Sequence, residues 1–272
     1  MIFIMNWTDI EKAFSRAMLL SFSKRKIFLA FPVLVLCGMM TVFCRAVAHD
    51  ASDWIAMSLA FLPILVSSGV LLALGVLLVR IHIHEIKGLH LSFKRLVSGS
   101  LDLIMATSYL SIPPILAYLF LWMGLGIFYL LGEIPGIGNF FSVVFAFGPF
   151  LLVFGALLLC LFNFGLLFFV APIAAIQSTK RISITKRLFS FFQGQVLTSF
   201  SLFLLALVPI SLVTGLLILA AFLSNTVPEE SLSVAIQWFF VMLPFVALLT
   251  PAVAFFFNFA AECYQLLQPK KT

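Results

Sequence analysis

The sequence predicts an all-α, polytopic integral membrane protein. It has six transmembrane helices, arranged as three parallel helical-hairpin repeats, with amphipathic interfacial helices on the cytoplasmic side. Three observations predict this. First, 63% of the 272 residues are hydrophobic and only 10% are charged, where soluble domains carry about 25% charged residues. Mean hydropathy is +1.21. Such a chain has too few polar groups to cover itself in water and takes lipid as its solvent. Second, six apolar stretches recur, near 27–47, 55–79, 101–131, 141–176, 196–223 and 233–266. Each reaches the roughly 20 residues that a helix needs to cross a hydrocarbon core. Third, every Lys and Arg except Arg45 falls before the first span, after the second, after the fourth or in the C-terminal tail. Basic loops stay cytoplasmic, so both termini are expected inside, most naturally in a bacterial inner membrane. The strict alternation of membrane β-strands is absent, and nothing in the 272 residues is set aside for a soluble domain.

The first element, 7–23, reads as an amphipathic interfacial helix. Thr8 and Glu11 form a capping box. Trp7, Ile10, Phe14 and Ala17 recur on one face, with Lys12, Ser15 and Arg16 on the other. Lys24, Arg25 and Lys26 then lead into the first span. That span ends in Ala46-Val47-Ala48, the small-residue pattern of a processing site, but its length and its preamble favour an uncleaved helix. After the second span, "IHIHEIKGLH" (81–90) holds His82, His84, Glu85 and His90. Residues two apart diverge on a helix, so a hydrated interfacial connector is expected rather than a metal site. The four cysteines lie in apolar runs without paired spacing, which supports neither a disulfide framework nor a zinc site. No metal or cofactor is expected.

The repeat shows in the even spans. Pro149 precedes Asn163 by fourteen residues, and Pro244 precedes Asn258 by the same interval. Both asparagines stand between phenylalanines, in "LFNFG" and "FFNFA". The second span joins partly, with Pro63 followed at six by Gly69. The basic connectors also recur, "KRLVS" at 94–98 and "KRLFS" at 186–190. Each copy reads as a cytoplasmic amphipathic helix followed by a hairpin through the membrane.

The stretch "FVAPIAAIQSTKRISITKRLFSFFQG" (169–194) resembles the membrane domain of some bacterial glycerophosphodiester phosphodiesterases and related six-helix inner-membrane proteins. Pro172 ends an apolar helix; Lys186 and Arg187 form the basic pair; Phe189 and Gly194 follow. Leu188, Phe189 and Gln177 stand where that family favours a serine, a tryptophan and an acidic residue. The resemblance implies a six-helix membrane architecture. The 272 residues contain no phosphodiesterase catalytic domain, so that activity is not implied.

Candidate site residues follow from depth and charge. Asn163 and Asn258 are candidate ligand-binding residues. The simpler reading is that each amide ties helices together, since a polar group in hydrocarbon needs a partner. Asp102 and Glu262 are shallow carboxylates near the cytoplasmic face. Lys24, Arg25, Lys26, Lys94, Arg95, Lys186 and Arg187 form a basic rim for lipid headgroups or a protein partner on the connectors. Gly124, Gly126 and Gly155 are candidates for close helix packing. No nucleophile–base set or phosphate-binding loop is present, so no enzyme and no nucleic-acid partner is expected. Two function classes remain: a non-enzymatic protein that organises or binds lipids and partners, and a transporter or permease subunit for an apolar or amphipathic solute.

Overall fold

The computed structural model describes residues 7–49, 51–88, 109–132, 146–176, 181–223 and 232–267, with 134, 136, 140 and 143. For 49, 110, 181–196, 221 and 232–236 it describes the backbone alone. The described residues form seven α-helices: α1 (Trp7–Ser21), α2 (Lys24–His49), α3 (Asp53–Ile86), α4 (Ile112–Gly132), α5 (Gly148–Ile176), α6 (Arg181–Leu223) and α7 (Leu232–Leu267). Helices α2 to α7 each contain a segment long and apolar enough to cross a membrane. The chain is a multi-pass membrane protein.

The helices differ in how deeply they are enclosed. In α3 the most apolar window is 61% buried by protein, in α4 only 6%. Helices α3, α5 and α7 pack on one another at the centre. Around them α2 lies against α3 and α7, α4 against α5 and α3, and α6 against α7 and α5. The outer helices leave most of their apolar surface uncovered by protein. Phe120, Ile218 and Phe222 are among the large apolar side chains left exposed.

Where the observed helices depart from the expected spans, the causes are local. Helix α3 runs on past residue 79 to Ile86. Ile81 and His82 are still buried, so the helical path keeps its reward. It stops at Gly88, which takes φ +63° and donates to the Glu85 carbonyl at 3.2 Å. Glycine tolerates that left-handed geometry and so ends helices. Helix α4 runs from Ile112, after a 3-10 turn at Tyr109–Ser111, and 101–108 of the expected third span lie outside the described residues. Pro113 and Pro114 fall in its first turn, where a missing N–H costs nothing. Helix α6 is one rod of 43 residues, about 65 Å long at 1.5 Å per residue. The "KRLFS" connector is therefore continuous with its span rather than a separate short helix. Between α1 and α2, by contrast, the chain breaks at Phe22-Ser23, and the Ser23 carbonyl accepts from the Lys26 and Ile27 amides.

Close contacts between helices use small residues. A Cβ on Gly75 would run into the Phe257 ring, and one on Gly38 into Met242. Gly126 faces Trp54 and Gly155 faces Leu121 in the same way, whereas Gly124 meets open space. At the end remote from α1, Tyr118 Oη donates to the Ser58 carbonyl at 2.6 Å. There Arg45 lies 4.5 Å above the Trp238 ring, tying α2 to α7.

Candidate functional site: a buried ionic cluster

Four elements meet at the end of the bundle where α2 begins and α3 and α7 finish. Helix α1 brings a stripe of Ala13, Ala17 and Ser21, four residues apart and buried. Phe14 stands edge-on to Phe255 at 4.9 Å and to Phe259 at 5.7 Å, which seats α1 on α7. Helix α2 presents Lys26, Ala30 and Leu34 on its buried face, again at fourfold spacing. Helix α3 supplies His82 and Glu85, one turn apart, and α7 supplies Asn258 and Glu262, one turn apart.

Lys26 lies at the centre, with 0% of its surface exposed. Its Nζ donates to the Leu20 carbonyl at 3.2 Å and to Asn258 Oδ1 at 3.1 Å. It is 3.3 Å from His82 Nδ1 and 2.7 Å from Glu85 Oε2. The Glu85 carboxylate at 2.7 Å favours the charged form of the amine, so Lys26 is assigned as an ammonium. Glu85 Oε2 accepts no hydrogen bond of good angle, so the neighbouring charge alone offsets it. Glu85 Oε1 accepts from Ser23 Oγ at 2.9 Å.

The Glu262 carboxylate can only accept, so it assigns the proton of His82 to Nε2, 3.1 Å away, and leaves Nδ1 of the neutral imidazole to accept from Lys26. Glu262 Oε2 lies 3.6 Å from an Arg16 terminal nitrogen. Asn258 completes the circuit by donating from Nδ2 to the Ala17 carbonyl at 3.3 Å. Two cations, Lys26 and Arg16, thus balance two carboxylates, Glu85 and Glu262, around a neutral imidazole. Charges removed from water at this depth are tolerable only when paired and hydrogen-bonded in this way. The Leu20 carbonyl is one of the last four of α1, which lack partners in their own helix. Lys26 supplies both a donor and a positive charge at that helix end.

Several sequence expectations are corrected here. Lys26 does not belong to an exposed basic rim: it is enclosed because its register matches Ala30 and Leu34 on the buried stripe of α2. Lys24 and Arg25 are exposed as expected. Lys94, Arg95, Asp102 and His90 lie outside the described residues, and the Lys186 and Arg187 side chains are not described. His82 is not on a hydrated connector but fully buried in α3. His84 diverges from it, as helical spacing requires, and contacts the Arg80 carbonyl at 2.6 Å through Nδ1. Glu262 is buried among protein side chains, close to the C-terminal end of α7. Asn258 is a tie between helices, with Lys26 and α1 as its partners. Asn163 is buried in α5 and takes no part in this cluster.

The convergence of Lys26, Glu85, His82 and Glu262 was not anticipated from the sequence. The signal was present as two one-turn pairs, His82–Glu85 and Asn258–Glu262, and as a lysine in register with small and apolar residues. What sequence spacing lacks is which helices adjoin. Among the described residues no group of three or more His, Cys, Asp or Glu side chains is placed to hold a metal ion.

Comparison with protein-family models, with curated proteins and with solved structures found no match. Fold and site together define a class: an α-helical multi-pass membrane protein whose first helix is locked to the bundle by a charge-neutral buried cluster.

Proposed function

We propose that this chain is a non-enzymatic membrane protein that engages anionic lipids, and through them organises its surroundings, at the end bearing α1. The observation that carries the reading is the double-faced α1. Its buried stripe is spent on α7, yet its remaining surface exposes Trp7, Met18 and Leu19 beside Lys12 and Arg16, and the turn into α2 adds exposed Phe22, Lys24 and Arg25. Apolar side chains that reach the acyl boundary, with cations at headgroup level, are the chemistry of an interfacial helix. Each such cation contributes about 1 kcal/mol near an anionic surface. Protein partners on the basic connectors are part of the same proposal.

The cyclic packing, in which each outer helix lies between two inner ones, supports reading the chain as three parallel hairpin copies. The phosphodiesterase-domain likeness favours the same architecture. The distribution of Lys and Arg supports cytoplasmic termini in a bacterial inner membrane. Reporter fusions at both termini would test that orientation; a reporter active outside at either end would refute it.

The test of the lipid reading is mass spectrometry of lipids retained by purified protein. Enrichment of anionic lipids over the bulk membrane is expected, with loss of that enrichment in a Lys12→Glu/Lys24→Glu/Arg25→Glu variant. Unselective retention by the wild type would refute it. The transporter reading, with Asn163 and Asn258 at the solute path, is favoured by one observation: ionisable groups buried in spanning helices. Solute flux in proteoliposomes that falls with Asn163→Leu would decide for it.

A further inference from the structure

The buried cluster has one property that a simple clamp does not need: it has no place for another proton. His82 Nδ1 faces the Lys26 ammonium of α2 at 3.3 Å, and Nε2 faces Glu262 of α7 at 3.1 Å. Glu85, one turn along α3, pairs with the same ammonium. Arg16 of α1 pairs with Glu262, and Asn258 of α7 is occupied by Lys26 and Ala17. Helix α5 brings no charged side chain to the bundle. A proton arriving at His82 Nδ1 would turn the acceptor of Lys26 into a donor and set two cations side by side. A proton on either carboxylate would remove the partner of Lys26 or of Arg16. Every way of adding one proton breaks a contact made by α1 or α2.

The consequence falls on α1. Lys26 caps the Leu20 carbonyl, Asn258 holds the Ala17 carbonyl, and Glu262 holds Arg16. These three polar contacts converge on the last turns of a 15-residue helix. Its apolar attachment is Phe14, Ile10 and two alanines. The access route is short. Arg16 is half exposed and Glu85 is about one-fifth exposed, so water reaches the rim of the cluster.

We propose that the cluster is a proton-binding site, with His82 as the acceptor, and that proton uptake releases α1 from the bundle. The step is a simple transfer. A proton from water forms an N–H bond at Nδ1, Lys26 keeps its three protons, and its hydrogen bond to the imidazole is lost. Lys26 then withdraws from Leu20 and Asn258. Docking excludes the extra proton and release takes it up, so attachment is full at higher pH and declines as pH falls. Imidazole is the side chain suited to make that change between pH 5 and 8.

The test is hydrogen exchange of the full chain in neutral detergent from pH 8 to pH 5.5, with rates corrected for the intrinsic pH dependence of exchange. Amides of α1 are expected to lose protection by up to about tenfold per pH unit, the limit for one linked proton. Amides of α4, on the far side of the bundle, should stay constant. In His82→Gln the amide oxygen accepts from Lys26 and the amide nitrogen donates to Glu262, so α1 should remain protected throughout. His84→Gln should respond as wild type does. Constant α1 protection in the wild type overturns the proposal, with no variant required. An unchanged response in His82→Gln, or a response abolished by His84→Gln, overturns it as well. No anionic lipid is present, so the outcome is independent of the lipid reading.

Discussion

Replacing Lys26 by methionine tests whether the cluster holds the bundle together. The side chain keeps its length and apolar stem but loses the ammonium. Three hydrogen bonds and one ion pair disappear, and the groups left behind are unequal. Asn258 Oδ1 stays buried without its donor, which costs about 1–3 kcal/mol. The Leu20 carbonyl, at a helix end beside the interface, loses less. Glu85 keeps Ser23 and is partly exposed, with 21% of its side chain accessible, so its carboxylate can turn toward water. Removing one member of a buried pair costs about 3–5 kcal/mol, and the relief open to Glu85 places this case near 3 kcal/mol. Reversible unfolding in mixed micelles of mild detergent and SDS reads the difference directly. Lys26→Met/Glu85→Gln should recover part of the loss, because neighbours in one network couple by about 0.5–3 kcal/mol. Lys24→Met, at an exposed position two residues away, should lie within about 0.5 kcal/mol of wild type. A loss below about 1 kcal/mol for Lys26→Met, or strict additivity with Glu85→Gln, would refute the cluster as the main tie.

Other outcomes follow from the same geometry. Asn258→Leu breaks bonds to both Lys26 and α1 and should destabilise by about 2–4 kcal/mol, more than Asn163→Leu, in the same unfolding assay. Gly75→Ala drives a methyl into the Phe257 ring and should cost about 1–3 kcal/mol. Gly124→Ala meets open space and should be neutral or stabilising by up to about 1 kcal/mol; thermal unfolding of the two side by side separates packing from propensity. Phe14→Ala loses the edge contacts to Phe255 and Phe259 and should speed exchange of α1 amides while leaving α4 amides unchanged. A cost of about 2 kcal/mol is expected for a half-buried ring, and equal exchange in both helices would contradict it.

What the sequence determined by itself was the solvent and the number of crossings. Hydropathy over some twenty residues is a local sum, and no tertiary contact is needed to make such a run prefer lipid. Gly126 and Gly155 stood out as small residues in apolar runs, but so did Gly124, and only the packed bundle separates the two that meet a neighbour from the one that does not. Tertiary structure decided which helices adjoin, and with them the meaning of each polar residue. Lys26 was one of three consecutive basic residues, and only its register with Ala30 and Leu34 separates it from Lys24 and Arg25. His82 became a buried partner of Glu262 because α3 continues to Ile86 and α7 ends beside it. These two residues are 180 positions apart. No local pattern carries that distance. A charge leaves water only when its counter-charge is waiting, and that is a property of the assembled bundle.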